Sequence, residues 1–393
     1  MASNPTVAAA EPTGAATNPA VLRYALIGTG MMGVEHVHAL RSLPDTEIVA
    51  LCDPHAPSIA AAQAAIVSNE AGAAARNFAT TAPRVFADVH SLIAAGGFDV
   101  AVVATPNFTH REVVEPLLHA GVHLLIEKPL CITAQQCREL IAIEHTTARS
   151  GRVVWTGLEY RYMAPTMRLL EHARSGVLGR LRMFAIREHR FPFLVKVGDW
   201  NRFSSNTGGT LVEKCCHFFD LMRLVLRSEP VRVFASGAQD VNHLHESYGG
   251  RRPDILDNAF VIVDFAGGER ASLDLCMFAE ATRNEQELSL VGDLGKAEAL
   301  VTEGIVRVGL RKDGWFQARD EVTHADDVPT AVRQHGSHHG SSWREHVAMQ
   351  RAIREGRSAE VSLHDGLMSV AMGEAAHRSI ELGRPIAMTE VLG

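Results

Sequence analysis

The stretch that decides the fold runs from residue 21 to residue 53, Val21-LRYALIGTGMMGVEHVHALRSLPDTEIVALC-Asp53. An apolar, β-branched run from Val21 to Ile27 meets Gly28-Thr-Gly30-Met31-Met32-Gly33, and a helical stretch follows to about Leu43. A second apolar run, Glu47 to Cys52, ends in Asp53, twenty positions beyond Gly33. Strand, tight turn, helix, strand and acid, in that order, describe a dinucleotide-binding unit. Gly28 permits the turn, Gly30 lets the backbone approach a pyrophosphate, and Gly33 lets helix and strand pack closely. The helix N-terminus turns its unpaired N–H groups toward the phosphates. A glycine triplet alone is a weak signal; the surrounding unit and the acid at the right distance make this one informative. Asp53 accepts hydrogen bonds from ribose hydroxyls and repels a 2′-phosphate, so the expected cofactor is NAD rather than NADP. Arg41 and Arg76 are too loosely placed to reverse that.

Outward from this unit the alternation continues. Residues 56–76 are alanine-rich and read as a crossover helix, frayed around Asn69 to Gly72. Asp99 to Ala104 reads as a buried strand, Thr105-Pro106-Asn107 as a turn, Glu112 to Ala120 as a helix and Val122 to Ile126 as a strand; a helix from Thr133 to Ser150 closes the domain. The expected organisation is a disordered tail over 1–20, an NAD-binding Rossmann domain over 21–150 and a substrate-binding, oligomerising domain over 151–393. Val153 to Tyr160 is expected to be the strand that enters the second domain, followed by a helix from Thr166 to Ser175. Strand-like runs then recur at Leu181–Arg187, Val231–Ser236, Ala259–Phe265, Ala271–Phe278, Glu287–Val291 and Val306–Leu310, separated by turns such as Gly267-Gly268, Gly292-Asp293 and Asp313-Gly314. This pattern indicates hairpins. The fold class is α/β: a doubly wound parallel sheet plus an α+β domain with an open, mainly antiparallel sheet.

The chain has 393 residues, 46% apolar and 21% charged, with a formal net charge of -7. That balance gives no global reason to bind nucleic acid or an anionic membrane. No apolar run approaches the ~20 residues needed to cross a bilayer, and residues 1–20 lack the basic and apolar regions of a signal peptide. Six cysteines without a CxxC pair argue against zinc ribbons and disulfide scaffolds. A soluble protein of the cytoplasm is expected.

The strand from Val122 ends in Glu127-Lys128-Pro129, and with the upstream Ala104-Thr105-Pro106-Asn107 this resembles the signature of the Gfo/Idh/MocA family (glucose-fructose oxidoreductase, inositol dehydrogenase, rhizopine catabolism). The resemblance covers roughly residues 21 to 390, including the closing stretch Asp365-Gly366-Leu367 to Ile386. It implies an NAD-binding oxidoreductase acting on a secondary alcohol of a sugar or cyclitol, with Thr105, Pro106, Asn107 and Glu127 at the cofactor and Lys128 directed toward nicotinamide and substrate hydroxyl. The bland alternative for Lys128 is a surface lysine before a proline. In the second domain Gly208-Gly209-Thr210 leads into a helix expected over Leu211 to Leu226, on which Glu213, His217 and Asp220 fall at i, i+4 and i+7 and share a face. An ionisable stripe on a buried helix must be paired or functional. The family carries an aspartate and, four residues on, a histidine at this place. Here the histidine matches His217 and the acid is Glu213. His217 is the expected acid–base group, because imidazole titrates near neutral pH; a core histidine satisfied by a carboxylate is the alternative. Glu213 orients His217 or shares its proton. Cys215 and Cys216 read as small core residues.

The preceding loop is cationic, with Arg187, His189, Arg190, Lys196 and Arg202 around Trp200 and Asn201, and Arg161 arriving from the strand before. It is either a solvated basic face or a cleft wall in which Trp200 stacks on a sugar while Lys or Arg holds an anionic group. Lys196-Val-Gly-Asp-Trp200-Asn201-Arg202 together with Glu213-Lys214-Cys-Cys-His217 is similar to the branch of NAD-dependent glycosidases that act on sulfoquinovosides. His335-Gly-Ser-His338-His339 offers a substrate contact through His338 or is a plain loop; no carboxylate stands in register for zinc, so no metal is expected. Three activities stay open: net dehydrogenation, redox-neutral glycoside hydrolysis, and NAD-dependent sensing without catalysis. The bare face of an open sheet points to a homo-oligomer, a dimer or tetramer.

Overall fold

The computed structural model describes residues 21–68, 82–149, 151–333 and 338–393. The tail over 1–20, the stretch around Asn69 to Gly72, Arg76 and His335 lie outside the described residues. The first sheet is built from β1 (Leu22–Ile27), β2 (Thr46–Cys52), β3 (Arg84–Phe86), β4 (Val100–Val103), β5 (His123–Glu127) and β6 (Val154–Gly157), all parallel, in the order β3-β2-β1-β4-β5-β6. Its helices are α1 (Met31–Arg41), α2 (Ala56–Val67), α3 (Val89–Ala95), α4 (His110–Ala120) and α5 (Ala134–Thr146). Alternate residues of β1 enter two different cores. Leu22, Tyr24 and Leu26 pack with Val37 and Leu40 of α1, whereas Ala25 and Ile27 pack with Val114 and Leu117 of α4. A strand covered on both faces has no polar side to show, which is why β4 reads as unbroken Val-Ala-Val-Val. The strand order reverses between β1 and β4, and the crevice at their C-terminal ends is where such sheets hold ligands.

The run expected to enter the second domain instead pairs in parallel with β5 as the sixth strand, so the first sheet extends past 150 to Gly157. The reason is burial: all four residues of β6 are enclosed, and Trp155 donates to Glu345 on a helix, Ser341–Glu355, that returns late in the chain. Gln350 of the same helix donates to Thr46 Oγ1 at 2.8 Å, and Met349 and Ile353 join the core of β1.

The second sheet comprises β7 (Leu181–His189), β8 (Pro230–Ala238), β9 (Asn258–Phe265), β10 (Arg270–Cys276), β11 (Gln286–Gly292), β12 (Gly295–Leu300), β13 (Ile305–Leu310), β14 (Arg319–Val322) and β15 (Ile386–Ala387), ordered β14-β13-β12-β11-β7-β10-β9-β8-β15. Every pairing is antiparallel except β7 with β10. Helices Cys216–Leu226 and Leu363–Leu382 cover one face through residues such as Phe218, Met222, Val370 and Met372. The other face leaves Met183, Phe234, Phe260 and Ile262 exposed. The helix expected over 211–226 is broken: one turn, Thr210–Glu213, precedes Cys216–Leu226, with Lys214 and Cys215 between them. The stripe of Glu213, His217 and Asp220 is therefore split, and Asp220 turns away to Arg161. No described helix is long and apolar enough to cross a membrane.

Candidate active site

At the C-terminal ends of β1 and β4 lies a cavity of about 400 Å³ lined by Gly28, Gly30, Met31, Met32, Asp53 and Thr105, among others. Its shape is a backbone property. Gly28 has φ +86°, and a Cβ there would lie 2.5 Å from the carbonyl oxygen of Ala104; a Cβ on Gly33 would lie 2.3 Å from the oxygen of Gly28. A Cβ on Gly30 would meet no protein atom within 4 Å. It would occupy the cavity itself, so the cradle is open where a phosphate needs the backbone. The helix after Gly30 begins at Met31 with no acid in its first turn, which leaves its N-terminus suited to an anion. Asp53 accepts from the backbone N–H groups of Thr29 and His55, both at 2.8 Å, and stands in the cavity wall. Pro106, Asn107, Glu127 and Lys128 line the same lobe, as does Trp200, edge-on to Phe108. These residues fit NAD.

A second lobe, about 730 Å³, shares Lys128, Lys196 and Glu213 with the first and adds Asn201, Lys214, His217 and His338. Lys128 is held at the end of β5, its Nζ 3.5 Å from the Glu213 carbonyl oxygen. Burial opposes its charge, but Cys216, Glu159, Glu127 and Glu213 more than offset that and raise its pKa. Glu127 takes His36 Nε2 at 3.0 Å and the Lys128 N–H at 3.1 Å. Burial pushes the Glu213 carboxyl up to about 7, and its Oε2 has no hydrogen-bond partner among the described residues. The His217 ring stacks on Tyr160, centroids 3.9 Å apart and planes 7° from parallel. Its Nε2 lies 3.6 Å from Glu159 Oε1. Burial, followed by the charges of Lys128 and Lys214, drives His217 well below the usual imidazole range, so it is neutral. His338 sits between two carboxylates, Nδ1 2.8 Å from Glu35 and Nε2 3.5 Å from Glu159.

The expected substrate residues divide. Lys196 faces both lobes, and Asn201 stands in the wall of the second while donating to the Leu194 carbonyl at 3.0 Å. Lys214 reaches the second lobe but is held by Glu188 at 2.9 Å and Tyr160 Oη at 2.6 Å. Arg161 and Arg202, expected at the substrate, line neither lobe. Arg161 is buried against Asp220, with Nε to Oδ2 at 2.6 Å, and donates to the Glu360 carbonyl; Arg202 is buried against Glu246 at 3.1 Å and the Asn201 side chain at 3.2 Å. A buried guanidinium needs a carboxylate, and each has found one outside the lobes. Glu35 and Glu159 were missed. Glu35 follows the glycine loop by two positions, and Glu159 sits where an apolar strand ends in Glu-Tyr-Arg-Tyr; an acid at either place is the available signal. Among the described residues no group of His, Cys, Asp and Glu could hold a metal.

Two family profiles match, "Oxidoreductase family, NAD-binding Rossmann fold" over residues 22–157 and "Oxidoreductase family, C-terminal alpha/beta domain" over 171–388, both of the Gfo/Idh/MocA type. The chain is 23% identical to the myo-inositol 2-dehydrogenase of Thermotoga maritima over 382 residues, 95% of this chain and 100% of that one. It is 30% identical to the D-glucoside 3-dehydrogenase of Escherichia coli over 210 residues, 52% and 54% of the two chains. Among solved structures, an oxidoreductase domain protein from Kribbella flavida superposes with a TM-score of 0.80 at 20% identity, covering 94% of this chain and 100% of that one. A levoglucosan dehydrogenase in complex with NADH and levoglucosan superposes with 0.77 at 18%, covering 93% and 99%; both likenesses show the fold. The chain belongs to the Gfo/Idh/MocA family and is an NAD-binding oxidoreductase.

Proposed function

We propose that the protein is an NAD-dependent dehydrogenase that oxidises a secondary hydroxyl of a sugar or cyclitol. The carrying observation is that Lys128, Glu213 and His217 converge in a lobe continuous with the NAD cradle and roomy enough for a monosaccharide. Bound NAD supplies the hydride acceptor. Lys128, cationic beside the carboxyls of Glu159, Glu127 and Glu213, holds the hydroxyl oxygen and stabilises it as negative charge develops. Neutral His217 accepts the hydroxyl proton, and Glu213 orients the neighbouring hydroxyls. The relatives named inositol and glucoside dehydrogenases favour the same substrate class. Incubating the protein and NAD with myo-inositol, methyl glucosides and levoglucosan, and following NADH, tests this; no NADH from any of them sinks it.

A second reading, redox-neutral hydrolysis of an anionic pyranoside, draws on Glu213 as a second proton-transferring group beside His217. Oxidation at C3 acidifies the C2 proton, Glu213 removes it, the aglycone leaves C1 with its electron pair, and water then adds at C1 as the proton returns to C2 and the hydride to C3. The anionic group would meet Lys196, because Arg161, Arg187 and Arg202 are occupied by Asp220, Glu287 and Glu246. Aryl sulfoquinovoside in deuterated water decides: aglycone release with deuterium at C2 and no accumulating NADH supports hydrolysis. Six free cysteines suit a reducing cytoplasm, and the exposed Phe260 face suits a homo-oligomer, which a monomer by light scattering would refute.

A further inference from the structure

Behind His217 runs a chain of four ionisable groups drawn from four segments, His217 and Glu159 buried and His338 and Glu35 half-buried toward the outer lobe. Glu159 Oε1 lies 3.6 Å from His217 Nε2 and 3.5 Å from His338 Nε2. His338 Nδ1 then meets Glu35 Oε1 at 2.8 Å, and the same oxygen accepts from Ser342 Oγ at 2.7 Å. Glu159 is fully enclosed, and neither of its oxygens has a hydrogen-bond partner among the described residues. A buried carboxylate flanked by two imidazoles, with both oxygens unsatisfied, is costly as a purely structural arrangement. It is well suited to exchanging one proton with either ring.

We infer that Glu159 is the proton store of the active site: the proton that His217 takes from the substrate hydroxyl moves on to Glu159, and His338, anchored by Glu35, positions Glu159 and connects it to the outer lobe. The inference rests on the dehydrogenase reading for its use in turnover. The chain itself stands on geometry. In the step, the substrate O–H breaks and its proton joins His217; the His217 Nε2 proton passes to Glu159, leaving the imidazole neutral and the carboxyl protonated. The charge states agree. Burial opposes ionisation of Glu35, but His338 and Ser342 hold it at about 2. Burial likewise opposes a charge on His338, yet Glu35 and Glu159 raise it. His217 is neutral, and burial lifts Glu159 to about 7. Two carboxyls and two imidazoles thus have room for one further proton near neutral pH, on Glu159. The other titratable groups facing Glu159 are Glu127 at the end of β5, Lys128 just after it, Tyr160 stacked on His217, Cys216 beside His217, and Glu345 from the returning helix.

The test uses the NAD-loaded full chain with [15N]histidine, following the ring resonances of His217 and His338, assigned through His217→Asn and His338→Asn, from pH 5 to 9. Both rings should report one shared transition near pH 7. Glu159→Gln should abolish it and Glu213→Gln should leave it in place. Glu35→Gln weakens the cation on His338 and should move the transition to higher pH. Absence of the shared transition in the wild type, or its survival in Glu159→Gln, overturns the inference. Because this titration needs no substrate, a protein that oxidises none of the sugars tested would refute the dehydrogenase reading alone. Where turnover is seen, Glu159→Gln should lower kcat at least tenfold with KM little changed, and Glu159→Asp should restore part of it.

Discussion

In the cofactor lobe the shape-giving groups are three glycines and an acid within twenty-six consecutive positions, Gly28 to Asp53, and the wall is backbone. In the substrate lobe they are side chains from Glu35, Lys128, Glu213, His217 and His338, with Glu159 behind them, delivered by distant parts of the chain. The first lobe is pre-formed by sterics, and a methyl group there is enough to spoil it. The second is held against the tendency of burial to neutralise its members, so it carries function at a cost in stability. Damage to the two should therefore differ in kind.

The largest effect is expected in the substrate lobe. Lys128→Ala and His217→Ala should each lower turnover by ~10²–10⁴, the usual cost of removing a positioned acid–base or electrostatic group, while NAD affinity measured by calorimetry stays within a few-fold. His217→Ala with near-normal turnover would move the proton transfer to Glu213.

The next expectation runs against the usual direction of active-site mutation. Glu213 is neutral more readily in the folded protein, about 7, than its ordinary value of 4.5. A raised folded pKa means its contribution to stability is whole below about pH 4.5 and is lost as pH rises through 7. Glu213→Gln removes that loss, so the variant should match the wild type at pH 4.5 and exceed it by up to about 3 kcal/mol above pH 7, at ~1.4 kcal/mol per pKa unit. Denaturant melts at pH 5 and pH 8 measure it. Equal stability at pH 8 would mean Glu213 is paired after all.

The same contrast governs what was legible in the sequence. Gly28, Gly30, Gly33 and Asp53 are readable because the constraint on each is local: a turn, a close approach, a strand end. Glu127-Lys128-Pro129 and His217 were readable through resemblance. Arg161 and Arg202 were misplaced, since only tertiary structure reveals that Asp220 and Glu246 claim them. The helix over 211–226 reads as continuous from its apolar content, yet the break at Lys214 and Cys215 sets Glu213 and His217 at separate points of the lobe. β12 and β14 are polar or short, and β3 spans three residues, too few for a period of two to register. Glu159 was hidden because its partners, His217 and His338, lie 58 and 179 positions away.

Within the cofactor lobe two glycines can be set against each other. Gly33→Ala forces a Cβ to within 2.3 Å of the Gly28 oxygen and should destabilise the fold by ~1–3 kcal/mol. Gly30→Ala meets no protein atom within 4 Å, so its melting temperature should stay at the wild-type value while NAD binding weakens about tenfold. If both variants lose stability and binding together, the claim that Gly30 is reserved for the cofactor fails.

The smallest expected effect tests which dinucleotide the cradle prefers. Asp53 spends one carboxylate oxygen on the Thr29 N–H and the other on the His55 N–H. The Thr29 hydroxyl also donates to the first oxygen, at 3.2 Å, so it is the oxygen facing His55 that keeps a lone pair for a ribose hydroxyl, and the carboxylate charge opposes a 2′-phosphate there. Replacing it by serine keeps a short hydrogen-bonding group and removes the negative charge; placing arginine at the neighbouring cavity position, as Asp53→Ser/His55→Arg, adds a partner for phosphate. NAD binding should weaken by about tenfold and NADP binding should strengthen by a similar factor, ~1.4 kcal/mol in each direction. Gly30→Ala, by contrast, should weaken both dinucleotides equally, because the pyrophosphate is common to them. A wild-type protein that binds NADP as tightly as NAD would remove Asp53 from its selective role and leave it as a brace for the glycine loop.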